Sequence, residues 1–239
     1  MPDRLHIIIA DPDSIAAAGT RKVCESIPGV HLKGVAHSTQ TLLAKTKYGN
    51  PDLILMTLTG DTTEKMGDED AVDALKRIDP DLNVIVLYHP EAQESEALIS
   101  ALEQGAYECI EKPVSADERW YSAFRLRLLT ITGLLRSRKR FSNKQSRHYK
   151  SKFFMPPGTP VKLSEQRTEP KRKIDVVVIA SSTGGPEILS RIFSILPGSL
   201  KVPILLVQHI PEKMTRYFAK SLNEKSELDI RQADHGEVI

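Results

Sequence analysis

The chain has 239 residues, of which 40% are hydrophobic, and this is enough for one or two ordinary globular domains with buried cores. Lysine and arginine number 33 against 31 aspartates and glutamates, so the average charge gives nucleic-acid binding no support. Cys24 and Cys109 lie far apart without metal-ligand spacing, and we expect buried free thiols in a reducing cytoplasm. No apolar run has the length of a membrane span, and the apolar stretch near the amino terminus is too short for a signal peptide. The expected protein is cytoplasmic, without membrane insertion.

The first part of the chain alternates strand patterns with helix patterns. Apolar, β-branched runs predict strands at residues 5–10, 30–36, 53–58, 83–87 and 106–110, with helices between them and a last helix after Ser115. Such alternation predicts a doubly wound α/β fold with a five-stranded parallel sheet. The polar, glycine-punctuated stretch 59–67 is interpreted as a loop. In the last helix one apolar face is formed by Trp120, Phe124, Leu128 and Ile131, which favours core packing over an interdomain or dimer contact.

Charged residues follow two of these predicted strands. Asp11 and Asp13 come after the first strand, and Lys112 comes after the fifth. The carboxyl ends of parallel strands meet at one edge of a sheet, so these side chains are expected to converge there. This part of the chain resembles a response-regulator receiver domain, which implies a flavodoxin-like sheet order.

The resemblance fails at the residues that carry a receiver's chemistry. Thr57 stands where a receiver has its phosphoacceptor aspartate at the end of the third strand, and a threonine hydroxyl cannot form an acyl phosphate. Pro12 interrupts the acidic pair, which removes a Mg²⁺ ligand, and Tyr88 replaces a small hydroxyl residue. We therefore expect a receiver fold that has lost phosphorylation, in which Asp11 and Lys112 form a structural ion pair and no metal is bound.

The composition changes between residues 136 and 173. Basic residues and prolines accumulate there, few acids interrupt them, and no periodic apolar face is present. We interpret this stretch as a basic, partly disordered linker, with docking on an acidic partner surface as the alternative. Its apolar cluster, Phe153 to Met155, could contact either flanking domain. The predicted domains are thus residues 1–135 and 174–239.

A strand, a tight turn and a helix are predicted at the start of the second domain. The apolar run 175–180 leads into the turn 181–185, and Pro186 suits the first position of a helix. The pattern Ala180-x-Ser182-x-Gly184 is a relative of the G-x-S-x-G nucleophile elbow, which places a serine at the edge of a sheet. The alternative is a phosphate-binding or purely structural turn.

A candidate base follows the next predicted strand, residues 202–207. This strand runs into Gln208 and His209, and parallel pairing of the two strands would put His209 on the same edge as Ser182. We predict His209 as the general base for Ser182. Helices are expected at 187–196 and 212–222, and a third strand at 228–233.

Residues 179–185, with the sequence IASSTGG, and residues 208–211, with the sequence QHIP, resemble the catalytic domain of chemotaxis protein-glutamate methylesterases. The resemblance implies a carboxyl-ester hydrolase in which Ser182 is the nucleophile, His209 its base and Thr183 lies beside the oxyanion site. It also implies glutamine deamidation. The implied partners are methylated chemoreceptor cytoplasmic domains and a histidine kinase of the chemotaxis type, with no cofactor and no nucleic acid.

The third catalytic residue of that family is an aspartate near the end of its catalytic domain. Residues 233–237 resemble the middle of the domain, so the aspartate has no counterpart here, and we expect a truncated catalytic domain with an open sheet edge and weak activity. A regulatory or scaffold protein without catalysis is the principal alternative. A nucleotide-binding module that uses Gly184 and Gly185 is another, although it gives His209 no role.

Overall fold

The structure is a computed structural model that describes residues 4–58, 71–89, 95–112, 118–145 and 174–237. We call residues 4–145 the first unit and residues 174–237 the second unit. The predicted loop at 59–67, the helix start at Ser115 and most of the predicted linker, including Phe153 to Met155, lie outside the described residues.

The first unit is a five-stranded parallel sheet between two layers of helices. Its strands are β1 (Leu5–Ala10), β2 (Val30–Ala36), β3 (Leu53–Thr57), β4 (Asn83–Tyr88) and β5 (Glu108–Glu111), and its helices are α1 (Ser14–Glu25), α2 (Thr39–Gly49), α3 (Ala71–Ile78), α4 (Ser95–Glu103) and α5 (Glu118–Gln145). The strand order β2-β1-β3-β4-β5 is the flavodoxin-like order. The predicted fold class is confirmed.

Both faces of the three central strands β1, β3 and β4 are buried, which explains why these strands are mostly apolar runs. The edge strand β2, with the sequence VHLKGVA, alternates instead and is partly exposed. β3 is buried at every position. Phe124, Leu128 and Ile131 of α5 belong to the core cluster on one face, so the core-packing interpretation of that helix holds for these residues. Cys24 and Cys109 are buried free thiols, as expected, and burial raises the pKa of the Cys24 thiol to about 12.

Helix α5 continues beyond residue 135, where the linker was expected to begin, and ends at Gln145. Two basic side chains attach this extension to the sheet. Lys139 Nζ donates to both carboxylate oxygens of Asp52 at 2.7 Å, and Arg136 Nη1 donates to the carbonyl of Pro28 at 2.7 Å. Lysine and arginine are good helix formers, so the basic composition that suggested a linker is also compatible with a helix.

The second unit contains two βα pairs. These are β6 (Val177–Ser181) with α6 (Gly185–Phe193), and β7 (Ile204–Gln208) with α7 (Glu212–Lys225). The strands β6 and β7 are parallel neighbours, as predicted. The predicted strand at 228–233 is wrong: the backbone N–H groups of Leu228 and Ile230 bind the side chains of Ser226 and Asn223, at 3.1 and 2.8 Å, instead of a neighbouring strand.

The two units contact each other through α4, which packs on α6 and α7. Leu98 and Leu102 of α4 belong to the same buried cluster as Phe218 and Leu222 of α7, so one apolar core crosses from unit to unit. Glu103, whose side chain is 10% exposed, accepts a hydrogen bond from Ser221 Oγ at 2.8 Å and pairs with Lys225. Across the described ranges, no helix is both long enough and apolar enough to span a bilayer.

Candidate active site

A tight turn connects β6 to α6 and carries Ser182. The N–H of Gly185 donates to the carbonyl of Ser182 at 2.9 Å, and Gly184 has φ +74° and ψ 0°. This conformation at the third of four residues, without a positive φ at Thr183, defines a type II turn, in which glycine is favoured because other residues are strained there. Ser182 is thereby held at the carboxyl edge of the strand.

The register between β6 and β7 brings His209 beside Ser182. Ser181 pairs with Gln208, and the N–H of His209 donates to the carbonyl of Ser181 at 3.0 Å. Ser182 Oγ lies 3.3 Å from His209 Nδ1, and both residues are exposed. A serine hydroxyl within hydrogen-bonding reach of an imidazole is the geometry that a nucleophile and its base require.

The orientation of the imidazole determines which nitrogen can serve as the base. Nδ1 faces the serine, so a neutral His209 that accepts the Ser182 proton there carries its own proton on Nε2. In the part of the chain that the structure describes, no carboxylate is hydrogen-bonded to this ring. The pair therefore has the geometry of a nucleophile and its base, while a group that would orient the base is not among the described residues.

Gln208 is a residue of this site that the sequence reasoning did not identify. Its Nε2 donates to the carbonyl of Ser182 at 2.9 Å, whereas its Oε1 is buried and has no partner among the described residues. The sequence did contain a sign that Gln208 belongs to the site, because it is the polar last residue of the otherwise apolar strand ILLVQ.

The site opens into a cleft of about 350 Å³ between the two units. Ser182, Thr183 and His209 line one side, and Tyr88 and Arg127 of the first unit line the other. A tyrosine hydroxyl is neutral at neutral pH and can donate a hydrogen bond, and burial raises the pKa of Tyr88 further, to about 12. The strand and helix patterns gave no indication that the first unit would form a wall of this cleft.

The residues left from a receiver's site divide into two groups. Asp11, Thr57 and Lys112 are buried together: Thr57 Oγ1 donates to Asp11 Oδ2 at 2.8 Å, and Lys112 Nζ is paired with the same oxygen. The side chain of Asp13 does not join them, although the backbone N–H of Asp13 donates to Asp11 Oδ1 at 3.0 Å. It caps α1, accepting the N–H of Ile15 at 2.8 Å, and the N–H groups at this helix start hold its pKa below the usual value.

The part of the chain that carries Ser182 and His209 is similar to a known family. Residues 177–239 match the family model described as CheB methylesterase. A "Protein-glutamate methylesterase/protein-glutamine glutaminase" of Desulfotalea psychrophila is 31% identical over 98% of this chain and 65% of its own length. A protein of the same name from Halalkalibacterium halodurans is 27% identical over 100% of this chain and 64% of its own length.

Among solved structures, the response regulator domain of Thermotoga maritima CheB aligns with a TM-score of 0.47 at 17% identity, covering 56% of this chain and 97% of that domain. The chain spans about 65% of the length of the Desulfotalea protein. The chain is thus similar along nearly all its length to protein-glutamate methylesterases, and its residues 177–239 match the family model described as CheB methylesterase.

Proposed function

We propose that this chain is part of a carboxyl-ester hydrolase that removes methyl groups from glutamyl methyl esters of chemoreceptor cytoplasmic domains. The observation that carries the proposal is the 3.3 Å approach of Ser182 Oγ to His209 Nδ1 at the mouth of a cleft. The names of the Desulfotalea and Halalkalibacterium relatives support both the esterase reaction and glutamine deamidation as a second reaction.

The reaction proceeds by acyl transfer. Ser182 Oγ attacks the ester carbonyl carbon while His209 Nδ1 accepts the hydroxyl proton, and the oxygen that becomes negative is stabilised by backbone N–H groups near Thr183. The tetrahedral intermediate expels methoxide, which takes the proton from His209 and leaves as methanol. Water then hydrolyses the acyl-enzyme by the same steps, giving a glutamate carboxylate and free Ser182.

The cleft and its location suit a receptor segment as substrate. A volume of about 350 Å³ accommodates an extended glutamyl ester side chain, and the exposed Ser182 and His209 are reachable from solvent. A substrate of this kind lies on the cytoplasmic side of the membrane, which is where this proposal places the protein. A chemotaxis-type histidine kinase fits as a binding partner only, because Thr57 is not an acceptor for its phosphoryl group.

The test is demethylation of a methylated receptor by the 239-residue chain and by the same chain extended beyond Ile239 with methylesterase-domain sequence. In the active form, Ser182→Ala and His209→Gln should each lower the rate by about 10⁴-fold or more, and the double substitution should cost hardly more than either one, because members of one catalytic unit are not additive. Ser181→Ala is the control and should cost far less. Full activity of Ser182→Ala would contradict the proposal.

The second candidate is a regulatory or scaffold protein without catalysis. It is favoured by the absence, among the described residues, of a carboxylate bonded to His209, and by Thr57 in the buried network with Asp11 and Lys112. The same assay separates the two candidates, because a scaffold would give no demethylation in either form of the chain.

A further inference from the structure

The carbonyl of Ser182 accepts two hydrogen bonds from opposite parts of the site. One comes from the N–H of Gly185 at 2.9 Å, within the turn itself, and the other from Gln208 Nε2 at 2.9 Å, at the end of β7. The turn bond is local, whereas the Gln208 bond attaches the turn to the neighbouring strand. Together they fix the rotation of the peptide group that joins Ser182 to Thr183.

The other end of this peptide group is the N–H of Thr183. A trans peptide is planar, so its N–H points away from its C=O, and a carbonyl held toward β7 directs the Thr183 N–H to the opposite side. Thr183 lines the cleft, and within the described ranges its N–H has no hydrogen-bond acceptor. The residue after a nucleophile at such a turn is the usual source of an oxyanion-binding N–H.

We propose that Gln208 is a positioning residue that holds the Thr183 N–H in place to receive the oxyanion. The inference rests on the proposed function and adds a residue that acts on the substrate only through the Ser182 peptide. Without Gln208 the carbonyl would keep one donor, and the peptide could rotate and withdraw the N–H from the cleft.

The unpaired atom of Gln208 supports this assignment. Its Oε1 is buried without a partner among the described residues and packs so closely on Gly185 that a methyl group there would overlap it. A buried acceptor without a partner is costly and calls for an explanation. If the bond from Gln208 Nε2 to the Ser182 carbonyl is needed to hold the turn, it explains why residue 208 is an amide and not an apolar side chain.

The experiment measures the reaction of Ser182 in the 239-residue chain with a fluorophosphonate, whose phosphoryl oxygen occupies the oxyanion position. Gln208→Met should lower the maximal labelling rate by about 10²-fold, the typical effect of losing one oxyanion donor, while the half-saturating reagent concentration stays within about twofold. Gln208→Glu, which keeps the shape but has no amide N–H, should slow labelling as well. Gln104→Met, the same change in a half-buried glutamine of the first unit, should have no effect.

A second measurement separates positioning from general damage to the turn. In a Ser182→Cys background, alkylation of the new thiol by iodoacetamide develops no oxyanion, so adding the uncharged Gln208→Met should leave its rate unchanged. Equal slowing of alkylation and of fluorophosphonate labelling would overturn the inference, and so would unchanged labelling. Absence of Ser182 labelling in both the unsubstituted 239-residue chain and the chain extended beyond Ile239 would instead overturn the proposed function, and the inference with it.

Discussion

At the scale of single residues, Asp11, Thr57 and Lys112 of the first unit form a buried hydrogen-bonded network. Asp11 and Lys112 are almost fully buried, with side chains 1% and 4% exposed, and Thr57 fills the space between them with a hydroxyl that donates to Asp11. A buried carboxylate tolerates this position because a cation and a hydroxyl donor compensate the loss of water. The network is thus complete without a metal ion or a phosphoryl group.

Phosphorylation of the first unit can be tested with a small phosphodonor. Acetyl phosphate with Mg²⁺ should leave the protein unmodified, because Thr57 offers no carboxylate and Asp13 is engaged as the cap of α1. Intact-mass measurement under acid-free conditions checks this result. Addition of one acid-labile phosphoryl group would contradict it.

Thr57→Asp serves as the companion variant. It would place a second buried carboxylate against Asp11, with Lys112 as the cation for both. We expect a lower melting temperature and still no phosphorylation, since like charges at a buried site oppose each other's ionisation. Efficient phosphorylation of this variant would show that the rest of a receiver's site is intact.

At the scale of elements, the connection from β6 to α6 depends on close contact between backbone and side chains. Gly185 is buried at the first turn of α6, and a methyl group there would overlap Ser181 Oγ and Gln208 Oε1. The Ser181 hydroxyl could rotate away, but Ser181 Cβ would still lie 3.1 Å from the new methyl group, and the Gln208 side chain is held by its bond to the Ser182 carbonyl. The sequence GG at this turn therefore has two separate explanations: Gly184 for its positive φ and Gly185 for space.

Substitution of this glycine gives the second prediction. Gly185→Ala should lower the free energy of unfolding by about 1 to 3 kcal/mol, the usual cost of added volume in a packed site, and should slow Ser182 labelling. Gly133→Ala is the matched control. Gly133 is exposed within α5 with no atom near the position of a new methyl group, so this change should raise stability by about 0.5 to 1 kcal/mol.

Denaturant unfolding followed by circular dichroism measures both changes. The same substitution, glycine to alanine, should lower the free energy of unfolding at position 185 and raise it at position 133. Equal stabilisation by Gly185→Ala and Gly133→Ala would mean that the turn has room for a side chain, and the close approach at Gly185 would then be contradicted.

At the scale of the whole molecule, the two units share one core. The cluster that contains Leu98 and Leu102 of α4 also contains Phe218 and Leu222 of α7, and Glu103 binds both Ser221 and Lys225. This contact places the carboxyl ends of β4 and β5 opposite Ser182 and His209 and so forms the cleft. The shape of the site therefore depends on how the units pack.

The third prediction uses two glutamates of α4 that both pair with lysines of α7. Glu103 is largely buried and has two partners, so Glu103→Ala should lower the free energy of unfolding by about 1 to 3 kcal/mol through the unpaired donors that it leaves. Glu96 pairs with Lys220 at 2.8 Å, but both side chains are mostly exposed, and Glu96→Ala should change the melting temperature little.

Thermal unfolding of the two variants, with the unsubstituted chain beside them, provides the measurement. If the two units share one core, thermal unfolding should show a single transition. Its melting temperature should fall for Glu103→Ala and stay the same for Glu96→Ala. Two separate transitions in the unsubstituted chain would show that the units unfold independently, and equal behaviour of the two variants would mean that burial at Glu103 contributes nothing.

The sequence alone was sufficient for the parts of this protein that depend on local pattern. Continuous apolar runs predicted the five strands of the first sheet, and the alternation with helices predicted its parallel arrangement. The motifs IASSTGG and QHIP indicated a relative of the methylesterases by resemblance, and the predicted strand before each one placed Ser182 and His209 at the same sheet edge. The predicted strand at 228–233 failed because its apolar residues are only a local signal. In the folded chain the side chains of Ser226 and Asn223 bind the backbone N–H groups of Leu228 and Ile230 that a strand would have paired.

Only the tertiary structure decided what depends on contacts between distant residues. The 3.3 Å approach of Ser182 to His209 follows from the register of β6 and β7, and the bond from Gln208 to the Ser182 carbonyl follows from the same register. The wall of the cleft formed by Tyr88 and Arg127 requires α4 to pack against α7, a contact between segments more than a hundred positions apart along the chain. The periodicity of the sequence shows which face of a helix or strand is apolar. Which other element packs against that face depends on the fold of the whole chain.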